Sequence, residues 1–144
     1  MLNTELQNQD LIDLLSERHN SMRRILEKKW NDHSEIHIST SEWYILSRVY
    51  KNQPTISHIT KNVDISRQAI HKHVRNLATK GLVEIKNVEY NKKEKYLQLT
   101  ALGEECYEKY GALKAQLINK ISKKIGSTEV EILNDLLKLD WGFE

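Results

Sequence analysis

Apolar residues along the chain change spacing twice, from helical to alternating and back, and those changes mark the elements. Leu11, Ile12, Leu14 and Leu15, then Met22, Ile25, Leu26 and Trp30, recur at helical spacing and predict a helix over about 8–31. Ser39 and Glu42 form a capping-box pattern ahead of Trp43, Ile45, Leu46, Val49 and Tyr50, predicting a helix that stops before Pro54. Thr55 opens a short helix containing Ile56, Ile59 and Val63, and a turn at 64–65 leads to Ser66, the cap of the next helix. In that helix Ile70, Val74 and Leu77 share one inward face, and Gly81 supplies the left-handed residue that ends it. The period then falls to two. Val83, Ile85, Leu97 and Leu99 point inward from a pair of strands, with a polar tip over 87–94 between them. Helical spacing returns behind Thr100, a cap for a helix over 101–125 with Leu102, Leu113, Leu117, Ile118, Ile121 and Ile125 on its apolar side. Gly126 breaks it. A second capping-box pattern at Thr128 and Glu131 precedes Ile132, Leu133, Leu136, Leu137 and Leu139, in a last helix ending at Trp141.

The predicted fold is mainly α with one small β-hairpin, in a single continuous domain of 144 residues. Two short helices joined by a tight turn, the second with a basic polar face, make a helix-turn-helix pattern. The first helix and the last one expose more apolar surface than one subunit is expected to cover, so we expect a homodimer built from these ends.

Charge sharpens this picture. The chain carries only +2 overall, yet residues 55–100 hold nine Lys/Arg against four Asp/Glu, while 1–54 and 101–144 are both slightly acidic. Positive charge confined to the helix-turn-helix and hairpin is the footprint of a polyanion-binding face. The candidate DNA-binding residues are Ser66, Arg67, Gln68, His71, Lys72 and Arg75 on the second helix, and Lys92 and Lys93 at the hairpin tip. Arg and Gln can pair bidentately with base edges, so Arg67, Gln68, His71 and Lys72 are expected near bases, Arg75 on a phosphate or base, and Ser66 and the wing lysines on the backbone.

Other chemistries find little support. No Gly-x-Ser-x-Gly and no phosphate-binding glycine loop is present, so an enzyme is not expected. His33, Glu35 and His37 lie close together, but no further His/Cys cluster completes a zinc set, and neither metal nor cofactor is expected. The one cysteine, Cys106, excludes an internal disulfide framework and is expected to be a buried, inert thiol. No apolar run has the length of a membrane span and no signal-peptide pattern opens the chain, so a cytoplasmic location is expected. Trp30, Trp43 and the tyrosines are expected to be core in preference to a ligand cleft.

With these elements in this order, the chain resembles the MarR family of winged-helix transcription regulators. The resemblance is carried by ISTSEWYIL at 38–46, SRQAIHKHVRNLATKGLVE at 66–84 and LTALG at 99–103. It implies a winged helix-turn-helix over about 39–100, flanked by dimerisation helices at about 8–31 and 101–141. It also implies a recognition helix in the major groove, a wing reaching the neighbouring minor groove, and a palindromic double-stranded operator. The implied activity is that of a homodimeric repressor released by a small, often aromatic effector. The wing departs from the family pattern: Asn91 and Lys93 stand where an Asp-x-Arg pair is common, and Lys lacks the planar fork of Arg. The alternative reading is a winged helix used for protein contacts without DNA readout.

Overall fold

A computed structural model describes residues 4–61 and 65–143, except the side chains of Asn91 and Lys92. The elements are α1 (Leu11–His33), α2 (Thr40–Val49), α3 (Ile56–Lys61), α4 (Arg67–Thr79), β1 (Val83–Val88), β2 (Asn91–Leu99), α5 (Ala101–Ile125) and α6 (Ser127–Lys138). Residues 63 and 64, expected in the third helix and the turn after it, fall outside the described residues.

Local chemistry explains most boundaries. The Asp10 carboxylate accepts the Asp13 N–H, so α1 starts at Leu11, three residues later than the apolar pattern suggested, and it runs on to His33. Ser39 and Glu42 complete both bonds of the capping box on α2. The Thr55 hydroxyl accepts the His58 N–H at the start of α3, and Ser66 does the same for Ala69 on α4. Helix α4 ends in a paired bond set: the Gly81 N–H donates to the Ala78 carbonyl and the Leu82 N–H to the Leu77 carbonyl, with Gly81 at φ 78°.

That turn is also the pivot of the packing. The Thr100 hydroxyl donates to the Gly81 carbonyl (2.6 Å) and accepts the Gly103 N–H, while the Thr100 N–H donates to the Leu82 carbonyl. Helix α5 therefore begins hard against the residue that leaves α4. A Cβ at Gly103 would lie 2.1 Å from the Leu82 oxygen, so only glycine fits.

The hairpin pairs Val83 with Leu99, Glu84 with Gln98 and Ile85 with Leu97. Its outer half differs from expectation. Strand pairing reaches Val88 and Asn91, so the turn is Glu89 and Tyr90, and Lys93 belongs to a strand rather than a polar loop. Asn87 pairs with Lys95 but Val88 with Asn91, which leaves three residues of β2 with no opposite number. Ile85, expected inward, is 39% exposed although its partner Leu97 is fully buried, because it faces the open groove between α4 and the hairpin. A further pairing was not anticipated: Thr55 bridges Tyr96, and the Leu97 N–H donates to the Pro54 carbonyl, which anchors β2 along its other edge.

The core runs from Leu26 and Trp30 of α1 through Trp43, Leu46, Ile70, Leu77 and Leu97 to Tyr110 and Leu117 of α5. Trp43 stacks on Tyr110 at 3.8 Å between centroids and Trp30 lies edge-on to Trp43 at 4.9 Å, so Trp30 and Trp43 are buried in the core, as expected. Cys106 is buried too, and burial raises its thiol above the usual range, which disfavours the reactive thiolate.

Helix α6 departs from the expected form in two ways. Gly126, at φ 113°, is its N-cap and the helix starts at Ser127 with no side-chain cap bond, so Thr128 and Glu131 do not form the predicted box. The turn into the helix is made at Gly126, two residues before the predicted cap, by a glycine at positive φ. The helix ends at Lys138 rather than Trp141, whose indole N–H instead donates back to the Leu136 carbonyl. None of its residues is buried, and Ile132, Leu133, Leu136 and Leu137 are about half exposed. Leu11 and Ile12 of α1 and Ile118 and Ile125 of α5 are exposed as well.

Candidate nucleic-acid interface

Helix α4 and the hairpin enclose a groove of about 280 Å³. Ile56, Val74 and Ile85 give it an apolar floor. Arg67, His71 and Arg75, at successive spacings of four, line one wall from α4, and Lys93 and Lys95 stand on the other from β2, beside Glu94. This placement follows from the helical period of α4 and from an irregularity in β2. Ile70, Val74 and Leu77 turn the apolar stripe of α4 into the core, so the arginines are carried round to the hairpin side. On β2, Lys93, Glu94 and Lys95 all line the groove, because the register shift in this stretch breaks strict alternation. Basic side chains thus outnumber acidic ones around a low-dielectric floor, an arrangement that concentrates positive potential.

Four of the eight candidates, Arg67, His71, Arg75 and Lys93, meet in this groove. Gln68 and Lys72 are exposed on α4 outside it. The Ser66 hydroxyl is engaged as the helix cap. The side chain of Lys92 lies outside the described set. Sequence reasoning missed Ser57, Glu94 and Lys95, the other polar members of the groove. Neither Lys95 nor Ser57 carried a local signal: the register shift in β2 turns Lys95 to the groove, and the approach of α3 brings Ser57 there. At the tip, Tyr90 is 91% exposed and Glu89 is its neighbour, so the apex itself carries no cation.

Not all of the positive excess faces this groove. Lys80, at the end of α4, is bound to Glu42: its ammonium lies 2.9 and 2.8 Å from the two carboxylate oxygens and 2.6 Å from the His37 carbonyl. It belongs to the internal charge balance of the fold.

Short helices α2–α4 followed by a two-stranded ribbon define a winged helix-turn-helix protein, here framed by long helices at both ends. The sequence matches the MarR family over residues 38–94, from the lead-in of α2 to the wing. It is 23% identical over 134 residues to the HTH-type transcriptional regulator TcaR of Staphylococcus aureus, spanning 91% of this chain and 89% of that one. Among solved structures it is similar to the reduced form of MarR from E. coli (TM-score 0.80, 22% identity, 92% of this chain and 96% of that one). It is similar also to a cysteine-to-serine mutant of that protein complexed with operator DNA (TM-score 0.74, 21% identity, 95% and 97%). A third likeness is to Streptococcus pneumoniae FabT in complex with DNA (TM-score 0.73, 19% identity, 88% and 90%). Together these likenesses support a MarR-type winged-helix transcription regulator.

Proposed function

We propose that the chain binds a palindromic duplex operator as a homodimer and represses transcription until a small-molecule effector releases it. The observation that carries this reading is the cationic groove between α4 and the wing. In it, α4 enters the major groove, with Arg67, Gln68, His71 and Lys72 near base edges and Arg75 on a phosphate or base. Lys92, Lys93 and Lys95 engage the backbone beside the wing, and Ser66 holds the N-terminus of α4 in place. Two proteins of similar fold were solved in complex with DNA, which supports DNA binding. Nothing favours a winged helix restricted to protein contacts. The dimer is supported by the unburied apolar rows of α1, α5 and α6, which a second copy would cover. Among the described residues no helix is long and apolar enough to cross a membrane, in keeping with a cytoplasmic regulator.

Selection of duplexes from a random pool by the purified protein tests the reading. A palindrome with half-sites about one helical turn apart is expected; absence of any salt-dependent enrichment would overturn it. On the selected site, Gln68→Ala is expected to cost roughly 1–3 kcal/mol, and much less on random DNA. Equal losses on both would remove Gln68 from base readout.

The effector is best accommodated in the groove of about 280 Å³ between α1 and α5, where Trp30, Ile36, Leu102 and Leu113 form an apolar surface rimmed by His33, Glu105 and Lys109. Its size and apolar surface suit one aromatic ring with a polar substituent. A compound of that class that lowers operator affinity should act several-fold more weakly on Leu113→Trp, which fills the groove. Equal potency on both proteins places the effector elsewhere.

A further inference from the structure

Glu42 is the one charged residue in the described core, 4% exposed. Its carboxylate accepts the Ser39 N–H, completing the α2 capping box, and both of its oxygens accept from the Lys80 ammonium. Lys80 lies 38 residues away, at the C-cap of α4. The third acceptor for that ammonium is the His37 carbonyl, in the connection between α1 and α2. An ammonium has three donors, and here all three have acceptors within the protein. Lys80 therefore has none left for a phosphate.

The connection it grips is itself tied to α1. The Trp30 indole N–H donates to the Ile36 carbonyl, the Ile38 N–H to the Asn31 side chain, and the Thr40 hydroxyl to the Glu27 carboxylate. Hydrogen bonds thus run without a gap from α1, through residues 36–42, to the C-terminal end of α4.

We propose that the Lys80–Glu42 pair is a strut that sets the angle of the recognition helix against the dimerisation helix α1, so that Lys80 and Glu42 are positioning residues for operator recognition. The inference rests on the DNA-binding reading above. The mechanical argument is one of leverage. Helix α4 has 13 residues and is roughly 20 Å long. Its base-reading residues are near the N-terminal end and the strut holds the other. A tilt of roughly 10° about the strut moves Arg67 by about 3 Å, more than a hydrogen bond tolerates. In a dimer the same tilt, doubled by symmetry, changes the separation of the two recognition helices, and with it the half-site spacing that both can occupy.

The test measures binding of the dimer to its selected palindrome, to versions with one base pair inserted or deleted between half-sites, and to an isolated half-site, each across a salt series. For Lys80→Met we expect about a tenfold or greater loss on the palindrome. Its salt slope should be unchanged, its preference among spacings flattened, and Lys80→Arg should restore both. Because Lys80→Met strands a buried carboxylate, the double variant Lys80→Met with Glu42→Gln is measured beside it; it removes the strut without leaving a charge, and the same flattened spacing preference is expected. A salt slope on the palindrome reduced by about two units, one for each protomer, would make Lys80 a phosphate contact and overturn the proposal. So would spacing preference left intact in either variant, which would reduce the pair to a stabilising clamp. Wild-type protein with no salt-dependent duplex binding overturns the DNA reading and the strut's role together, and is told apart from both outcomes by the wild-type titration alone.

Discussion

Gly103→Ala is expected to destabilise the protein by about 3 kcal/mol or more, at the upper end of what overpacking costs. The added Cβ would stand 2.1 Å from the Leu82 carbonyl oxygen and 3.0 Å from its carbon. Both are backbone atoms, so no side-chain rotation relieves the contact. Moving α5 outward does not help, because Thr100 is bonded to both the Gly81 and Leu82 carbonyls and ties the helix start to the turn after α4. The strain therefore passes to the C-terminal end of α4 and the base of the wing, and operator binding should weaken along with stability. A loss of this size is a large fraction of the roughly 5–15 kcal/mol that holds a domain together. Urea unfolding followed by circular dichroism measures it. Gly111→Ala is the matched control in the same helix, since a Cβ there meets nothing within 4 Å. It should gain up to about 1 kcal/mol from helix propensity. Equal behaviour of the two variants would mean that α5 and the α4–β1 turn are not in contact as described.

The second large effect is ionic. Raising salt from about 50 to 200 mM is expected to weaken operator binding by roughly 10³–10⁵-fold, the range for six to ten neutralised phosphates. Arg67, Arg75, Lys93 and Lys95 surround the groove and Lys72 is exposed on the same helix, and two copies on a palindrome double that set. Each contact contributes a slope of about −0.9 in log K against log salt. The slope should therefore lie far below −4 on the full palindrome and at about half its value on a single half-site. A slope near −2 on the palindrome would be too shallow for two recognition helices and two wings, and would sink the dimeric reading.

The parts of this interface that could be read in advance were those set by one periodic element. Arg67, His71 and Arg75 share a wall of the groove because they are four residues apart on a helix whose opposite stripe is apolar. Gly81 and Ser66 were legible for the same local reason, a helix end needing a left-handed residue or a hydroxyl acceptor. The wing was read less well. Its polar stretch looked like a loop, but strands at a sheet edge outside the core need no apolar residues, so polarity alone could not distinguish β2 from a tip. Lys80 entered the sequence reading only as one of the nine basic residues of 55–100; its pairing with Glu42, which also completes the capping box, leaves no trace in local spacing.

By itself, then, the chain's pattern determined the helices, the ribbon, the basic face of α4 and the family resemblance, because each depends on neighbours a few residues apart. Tertiary structure alone decided that Lys93 and Lys95 face Arg67 and Arg75 across one groove, that Lys80 is turned inward, and that β2 is held at both edges. It also decided which apolar rows remain uncovered on α1, α5 and α6. These are contacts between elements distant in sequence. Such contacts depend on how helices and strands approach one another in space, and the spacing of residues within any one element does not encode that approach.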